Sequence, residues 1–95
     1  MFEHDDYHGI HAAPGTPQST LIDWYPSISR AQQVRVRAST CNCSQLVYEY
    51  CATGGLSFIR RHDRSTSHTV ITETEGMINR HAESLWLRIL GGDAK

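Results

Sequence analysis

Two runs of strand-forming residues separated by Gly54–Gly55 constrain the fold of this chain more than any other feature. The first run is Leu46–Thr53 (LVYEYCAT), and the second is Leu56–Arg61 (LSFIRR). β-Branched and aromatic residues in both runs favour strands. Consecutive glycines take positive φ at both turn positions without a Cβ penalty, which is typical of a two-residue hairpin loop. The sequence therefore predicts an antiparallel hairpin over residues 46–61.

The two-residue loop also predicts the register of this hairpin. Thr53 then lies opposite Leu56, and Glu49 lies opposite Arg60. The other predicted pairs are Ala52–Ser57, Cys51–Phe58, Tyr50–Ile59, Tyr48–Arg61 and Val47–His62. Opposite charges and apolar side chains in direct cross-strand pairs stabilise a sheet. A shift of one residue would separate Glu49 from Arg60, so we expect the unshifted register.

Sequence patterns on both sides of the hairpin predict the rest of the sheet. Val34–Ala38 alternates apolar residues with arginine, at the period of a half-buried strand. His68–Thr74 is rich in Thr, Val and Ile, which also favours a strand.

A helix is predicted at the C-terminal end. Its apolar stripe has helical spacing, at Ile78, Ala82, Leu85, Trp86 and Ile89. We expect Thr72 or Thr74 to cap its N-terminus and Gly91–Gly92 to end it. The predicted fold class is α+β: a small antiparallel β-meander of three to four strands, with one C-terminal helix packed on a face.

Composition divides the chain into three parts. Residues 1–20 contain three histidines and few apolar residues, which predicts a flexible, acidic tail. Residues 21–31 begin with LIDWYP, which predicts a segment that is either docked on the domain or exposed and adhesive. Residues 32–95 form the predicted single β-β-β-β-α domain.

The predicted architecture leaves apolar side chains to be covered. Both faces of the hairpin carry apolar or aromatic residues, whereas one helix covers only one face. We therefore expect an uncovered face that binds a protein partner or a second copy of the chain, since small domains are often stabilised by oligomerisation. The candidate contact residues are Trp24, Tyr25, Tyr48, Tyr50 and Ile59. This hypothesis describes a small interaction or regulatory module.

The uneven distribution of charged residues along the chain supports nucleic-acid binding as an alternative function. The net charge is −1, but residues 1–27 carry four acidic residues and no Lys or Arg, whereas residues 28–64 carry six arginines. Arginines interleaved with aromatic residues on a sheet are typical of single-stranded nucleic-acid binding. The candidates are Arg35, Arg37, Arg60, Arg61 and Arg64, with Tyr48 as a stacking surface. The structural alternative is a charged strand edge that prevents aggregation.

A second alternative is a zinc site. Cys41, Cys43 and Cys51 would supply three ligands, and His62 or His68 would supply the fourth. Two observations count against this hypothesis. Cys41 and Cys43 have Cys-x-Cys spacing, whereas zinc-binding cysteines are typically separated by two to four residues. Cys51 shares a hairpin face with Phe58, where a cysteine acts as a small apolar side chain. Free thiols or a disulfide are the other interpretations. In the tail, His4, His8 and His11 with Asp5 and Asp6 form a second candidate chelating group.

The chain lacks the residue arrangements that several classes of enzyme require. His62, Asp63, Ser65, Ser67 and His68 have the residue types of a hydrolytic triad, but they fall within one short turn. Gly54–Gly55 lacks the lysine and the helix of a phosphate-binding loop. We therefore expect no enzymatic activity and no cofactor. With no apolar run of transmembrane length, no secretory signal pattern and few cysteines, we expect a cytoplasmic protein without membrane contact.

Overall fold

The computed structural model describes residues 10–28 and 33–95, which form a five-stranded antiparallel sheet and one helix. The strands are β1 (Tyr25–Pro26), β2 (Arg35–Ser39), β3 (Leu46–Thr53), β4 (Leu56–Asp63) and β5 (Val70–Glu73), and the helix α1 is Asn79–Leu90. The strand order is β1-β5-β4-β3-β2. The α+β class and the C-terminal helix are confirmed, and the sheet has one strand more than predicted.

β3 and β4 form the hairpin in the predicted register. Glu49 pairs with Arg60, and Thr53 pairs with Leu56 across the turn. Gly54 and Gly55 have φ angles of 57° and 84°, which residues with a Cβ rarely adopt. Cross-strand pairing and turn chemistry thus agree, which explains why local sequence was sufficient to predict this element.

The additional strand, β1, is two residues long. Tyr25 lies opposite Glu73 and Pro26 opposite Thr72 in β5. A strand of two residues is too short to show the alternating pattern of a β-strand, so the sequence predicts only a docked or adhesive segment here. In the structure Ile22 and Trp24 pack against the core, which docks residues 21–28 on the domain. Residues 29–31 of the predicted segment lie outside the described residues.

The predicted start of the helix is wrong. α1 begins at Asn79 after Ile78, and neither Thr72 nor Thr74 caps it. Thr74 instead exchanges hydrogen bonds with β4: its backbone N–H donates to the Ile59 carbonyl at 2.9 Å, and its hydroxyl accepts from the Ile59 N–H at 3.1 Å. A capping Thr74 would give up these bonds, and Met77 makes a further bridge to Ser57 before the helix begins.

The C-terminal end of the helix is where the sequence places it. α1 ends at Leu90, and Gly92 has a φ of 81°. Positive φ directly after a helix is typical of a glycine stop. The helix has 12 residues, and within the described parts of the chain no helix is long and apolar enough to span a membrane.

Residues 13–22 run beside the C-terminal residues. The Ala13 N–H donates to the Leu90 carbonyl at 2.9 Å, and Thr20 exchanges backbone hydrogen bonds with Asp93 and Lys95 at 2.8 and 2.9 Å. The Ser19 hydroxyl donates to the Gly92 carbonyl at 2.6 Å. Residues 1–9 of the predicted tail lie outside the described residues, and the flexibility of residues 1–20 stays a prediction.

The expectation of an uncovered face around Tyr48, Tyr50 and Ile59 is wrong. These residues are 6%, 9% and 0% exposed and form one core cluster with Ala82, Trp86, Ile89 and Ala94. The helix and residues 22–24 cover the same face of the hairpin. On the opposite face Cys51 and Phe58 are also buried. The sequence could not show that two separate segments share one face, because this depends on where they dock.

Candidate functional site

The five residues predicted to contact a partner divide between core and surface. Beyond the buried Tyr48, Tyr50 and Ile59, Trp24 is half-buried, with its ring 6.0 Å from the Tyr48 ring. The Arg61 guanidinium lies 4.6 Å from the Trp24 ring centroid, close enough for a cation–π contact. Burial raises the pKa of the Tyr48 hydroxyl. Tyr25 is the member of the set that is well exposed, at 49%.

Tyr25 borders a groove at the β1 side of the sheet. The groove has a volume of about 420 Å³ and is called the Tyr25 groove below; its lining residues are Tyr25, Pro26, Ile28, Glu73, Thr74, Glu75 and Gly76. Ile28 is 63% exposed. Beside it, Leu56 lies against Gly76, since a Cβ added there would be 3.2 Å from the Leu56 Cδ1. Exposed apolar side chains are thus grouped at this end of the sheet.

The predicted nucleic-acid residues do not form one surface. Arg60 and Arg61 are consecutive in β4, so their side chains lie on opposite faces of the sheet. Arg61 stacks on Trp24, and Arg64 donates to the carbonyls of Asn42 and Ser44. Arg35 and Arg37 are exposed at β2, where a bulge falls between Val36 and Ala38. The five arginines therefore offer no continuous basic face.

Arg60 joins two glutamates on the sheet face opposite the helix. Its Nη1 lies 3.6 Å from Glu49 Oε1, and its Nε lies 3.8 Å from Glu73 Oε2. His62 Nε2 lies 2.8 Å from the same Glu49 oxygen. Glu73 is almost fully buried. The cross-strand pairing of Glu49 with Arg60 was predicted, whereas Glu73 joins only because β5 docks beside β4.

Replacing Arg60 with methionine is expected to lower the free energy of unfolding by about 2 kcal/mol. Removing one partner of a buried ion pair costs about 3–5 kcal/mol, and we reduce this figure because Arg60 is 20% exposed. Methionine also removes the cation–π contact of the Arg60 guanidinium, which lies 5.6 Å from the Phe58 ring centroid. Urea unfolding monitored by circular dichroism measures the change. The control is Arg35→Met, for which we expect a change within about 0.5 kcal/mol; equal losses would contradict a stabilising role for Arg60.

The predicted zinc ligands are only partly brought together. Cys41 and Cys43 lie in the β2–β3 loop, whereas Cys51 is buried in β3, with its thiol 3.8 Å from the Glu49 carbonyl. His68 lies on the exposed turn between β4 and β5. None of the three cysteines forms a disulfide. The pKa of the Cys43 thiol is raised, chiefly by its hydrogen bond with Cys41.

His11 takes the place that the sequence analysis gave to Cys51 and His68. Its ring and the thiols of Cys41 and Cys43 offer ligand atoms that all lie within 4.8 Å of one another. A backbone bridge between Ile10 and Thr40 brings His11 to the loop. The sequence predicts His11 in a tail chelate with His4, His8, Asp5 and Asp6, and these other four residues lie outside the described residues. No local pattern signals the Ile10–Thr40 bridge.

Comparison of the chain with known protein families, with curated proteins and with solved structures found no match. Function is therefore inferred from geometry and charge. Within residues 10–28 and 33–95, two features have geometry that suits binding: the Tyr25 groove, and the cluster of His11, Cys41 and Cys43.

Proposed function

We propose that the protein is a small non-enzymatic interaction or regulatory module, and that the Tyr25 groove binds a second copy of the chain. The observation that carries the proposal is the exposed apolar surface of Tyr25 and Ile28 in a groove of about 420 Å³. Aromatic and aliphatic side chains in such depressions are the usual energetic anchors of protein interfaces.

Contact through side chains fits this groove better than addition of a strand. β1 is two residues long, and Pro26 has no N–H to donate to an incoming strand. A short edge that contains proline resists strand addition. The binding energy would therefore come from burial of Tyr25, Ile28 and the neighbouring Leu56.

The net charge and the small size of the domain support a second copy of the chain as the occupant of the Tyr25 groove. A net charge of −1 produces little repulsion between two identical chains. In the groove wall, Arg60, which also pairs with Glu49, offsets part of the charge of Glu73 and so limits like-charge repulsion. A domain of this size buries only about 60–65% of its unfolded surface, so burial against another copy adds substantially to its stability.

A cytoplasmic location fits the same proposal. Three cysteines in 95 residues are far fewer than a small disulfide-stabilised secreted domain carries, which favours a reducing compartment.

Sedimentation equilibrium over a range of protein concentrations tests the interface. We expect the wild-type chain to dimerise, and Tyr25→Ser with Ile28→Ser to weaken dimerisation about 1,000-fold or more. Each side chain contributes about 1–2 kcal/mol when buried, and a symmetric dimer loses each contribution twice.

Leu87→Ser is the matched control. Leu87 is 61% exposed on α1 and does not line the groove, so the dimer constant should stay within about threefold of wild type. A wild-type chain that stays monomeric at every concentration would refute the proposal. Equal weakening by Leu87→Ser would place the interface elsewhere.

A further inference from the structure

Three side chains with zinc-binding chemistry converge where the N-terminal segment meets the β2–β3 loop. The Cys41 N–H donates to the Ile10 carbonyl at 2.8 Å, which holds the backbone of the N-terminal segment against the loop. His11 follows directly, and its Nε2 lies 3.6 Å from Cys43 Sγ. The cluster thus combines two thiols two residues apart with an imidazole from a segment 30 residues earlier in the chain.

The distances suit a tetrahedral zinc ion. Zinc bonds of about 2.3 Å to sulfur and about 2.0 Å to nitrogen place a sulfur and a nitrogen ligand about 3.5 Å apart, and two sulfur ligands about 3.8 Å apart. The Cys43–His11 separation of 3.6 Å already matches. Since all ligand atoms lie within 4.8 Å of one another, the remaining contraction is at most about 1.3 Å, which side-chain rotation supplies.

Hydrogen bonds from Arg64 and within the loop hold the backbone that carries the two cysteines. The Arg64 side chain donates to the backbone carbonyls of Asn42 and Ser44, the latter at 2.6 Å, and the Arg64 N–H donates to the Gln45 carbonyl at 2.8 Å. Within the loop, the Cys43 N–H donates to Cys41 Sγ at 3.5 Å. This contact fixes the position of the Cys41 sulfur relative to Cys43 within the loop.

Burial and charge are also suitable for a divalent ion. Cys41 is buried, whereas His11 and Cys43 are exposed, so an ion can enter from the solvent side. Two thiolates and a neutral imidazole carry a charge of about −2, which balances Zn²⁺. Three protein ligands leave the fourth tetrahedral position for water or an external ligand.

We propose that His11, Cys41 and Cys43 form a zinc site that fastens the N-terminal segment to the β2–β3 loop. The site uses residues outside the Tyr25 groove and does not depend on the proposed dimer. Because the ligands come together only in the folded chain, zinc binds the folded state in preference to the unfolded state and stabilises it.

Zinc titration of the full-length, chelator-treated and reduced protein tests the site. We expect one zinc ion per chain by native mass spectrometry, and a Tm increase of about 10 °C at 100-fold excess over the dissociation constant. Cobalt(II) added in place of zinc should give thiolate-to-metal charge-transfer absorption. Zinc should also protect the Cys43 thiol from alkylation. A wild-type chain that binds no zinc and gives no such cobalt spectrum would overturn the proposal.

Single substitutions identify the ligands. His11→Ala and Cys43→Ser should each weaken zinc binding at least about 10-fold, since loss of a direct ligand costs no less than loss of a supporting group. His68→Ala is the matched histidine control and should leave affinity unchanged. Both His11 and Cys43 are exposed, so their variants should retain the circular dichroism of the folded chain. Unchanged affinity after Cys43→Ser would assign the zinc to tail histidines and overturn the proposal, as would equal losses for His11→Ala and His68→Ala.

Discussion

Replacing Trp86 with alanine is expected to lower the free energy of unfolding by about 3–5 kcal/mol, the usual cost of removing a buried aromatic side chain. Trp86 is 6% exposed and lies on the inner face of α1, with its ring 5.9 Å from the Tyr50 ring. A 95-residue chain has a total stability of about 5–14 kcal/mol. The variant should therefore lose a large part of its stability, which urea unfolding monitored by circular dichroism measures.

Leu87→Ala is the control for this prediction. Leu87 is the next residue on the same helix but is 61% exposed. Alanine and leucine have similar helix propensities, so the change should stay within about 0.5 kcal/mol. Equal destabilisation by both variants would contradict the packing of α1 through the Trp86 side.

Gly92→Ala is expected to destabilise the protein by about 2 kcal/mol or more. Gly92 has a φ of 81°, which a residue with a Cβ adopts at a cost of about 1–2 kcal/mol. The added Cβ would also lie 2.8 Å from the Pro14 carbonyl oxygen and 3.2 Å from the Ala13 Cβ. The substitution should therefore push residues 13–14 away from the helix end. Thermal unfolding measures the loss of stability, and hydrogen exchange at the Ala13 amide reports the local displacement.

Gly91→Ala is a control at the adjacent position. Gly91 has a φ of −84°, and the nearest atoms to an added Cβ lie at 3.5 Å, which is ordinary contact. Its stability should change by less than about 1 kcal/mol, and exchange at Ala13 should stay slow. If Gly92→Ala behaved in the same way as Gly91→Ala, the close approach of residues 13–14 to the helix end would be wrong.

The hairpin and the end of the helix could be predicted because their causes are local. The φ angles of Gly54 and Gly55, the pairing of Glu49 with Arg60 and the helix stop at Gly91–Gly92 each depend on residues close in sequence. The start of the helix could not be predicted in this way. Thr74 has the side chain of a helix cap, but its backbone and hydroxyl bond to Ile59, a residue in another strand.

The candidate sites show the same division. From the sequence we predicted Tyr25 as a contact residue and Cys41, Cys43, Cys51 and His68 as ligands, and the structure brings only Cys41 and Cys43 of that ligand set together. We also assigned Tyr48, Tyr50 and Ile59 to the surface, because nothing in the sequence shows that residues 22–24 dock beside the helix on that face. His11 was separated from the cysteines for a similar reason, since one backbone bridge joins segments 30 residues apart.

Taken alone, the sequence determined the fold class, the hairpin with its register, the C-terminal helix and the residue types available for binding. These follow from periodicity, turn chemistry and cross-strand pairing, which act over a few residues. The tertiary structure decided what covers the hairpin face of Tyr48, Tyr50 and Ile59, where the short strand Tyr25–Pro26 pairs and that His11 lies beside Cys41 and Cys43. These outcomes depend on how distant segments compete for the same surface and the same backbone hydrogen bonds, which local sequence does not encode.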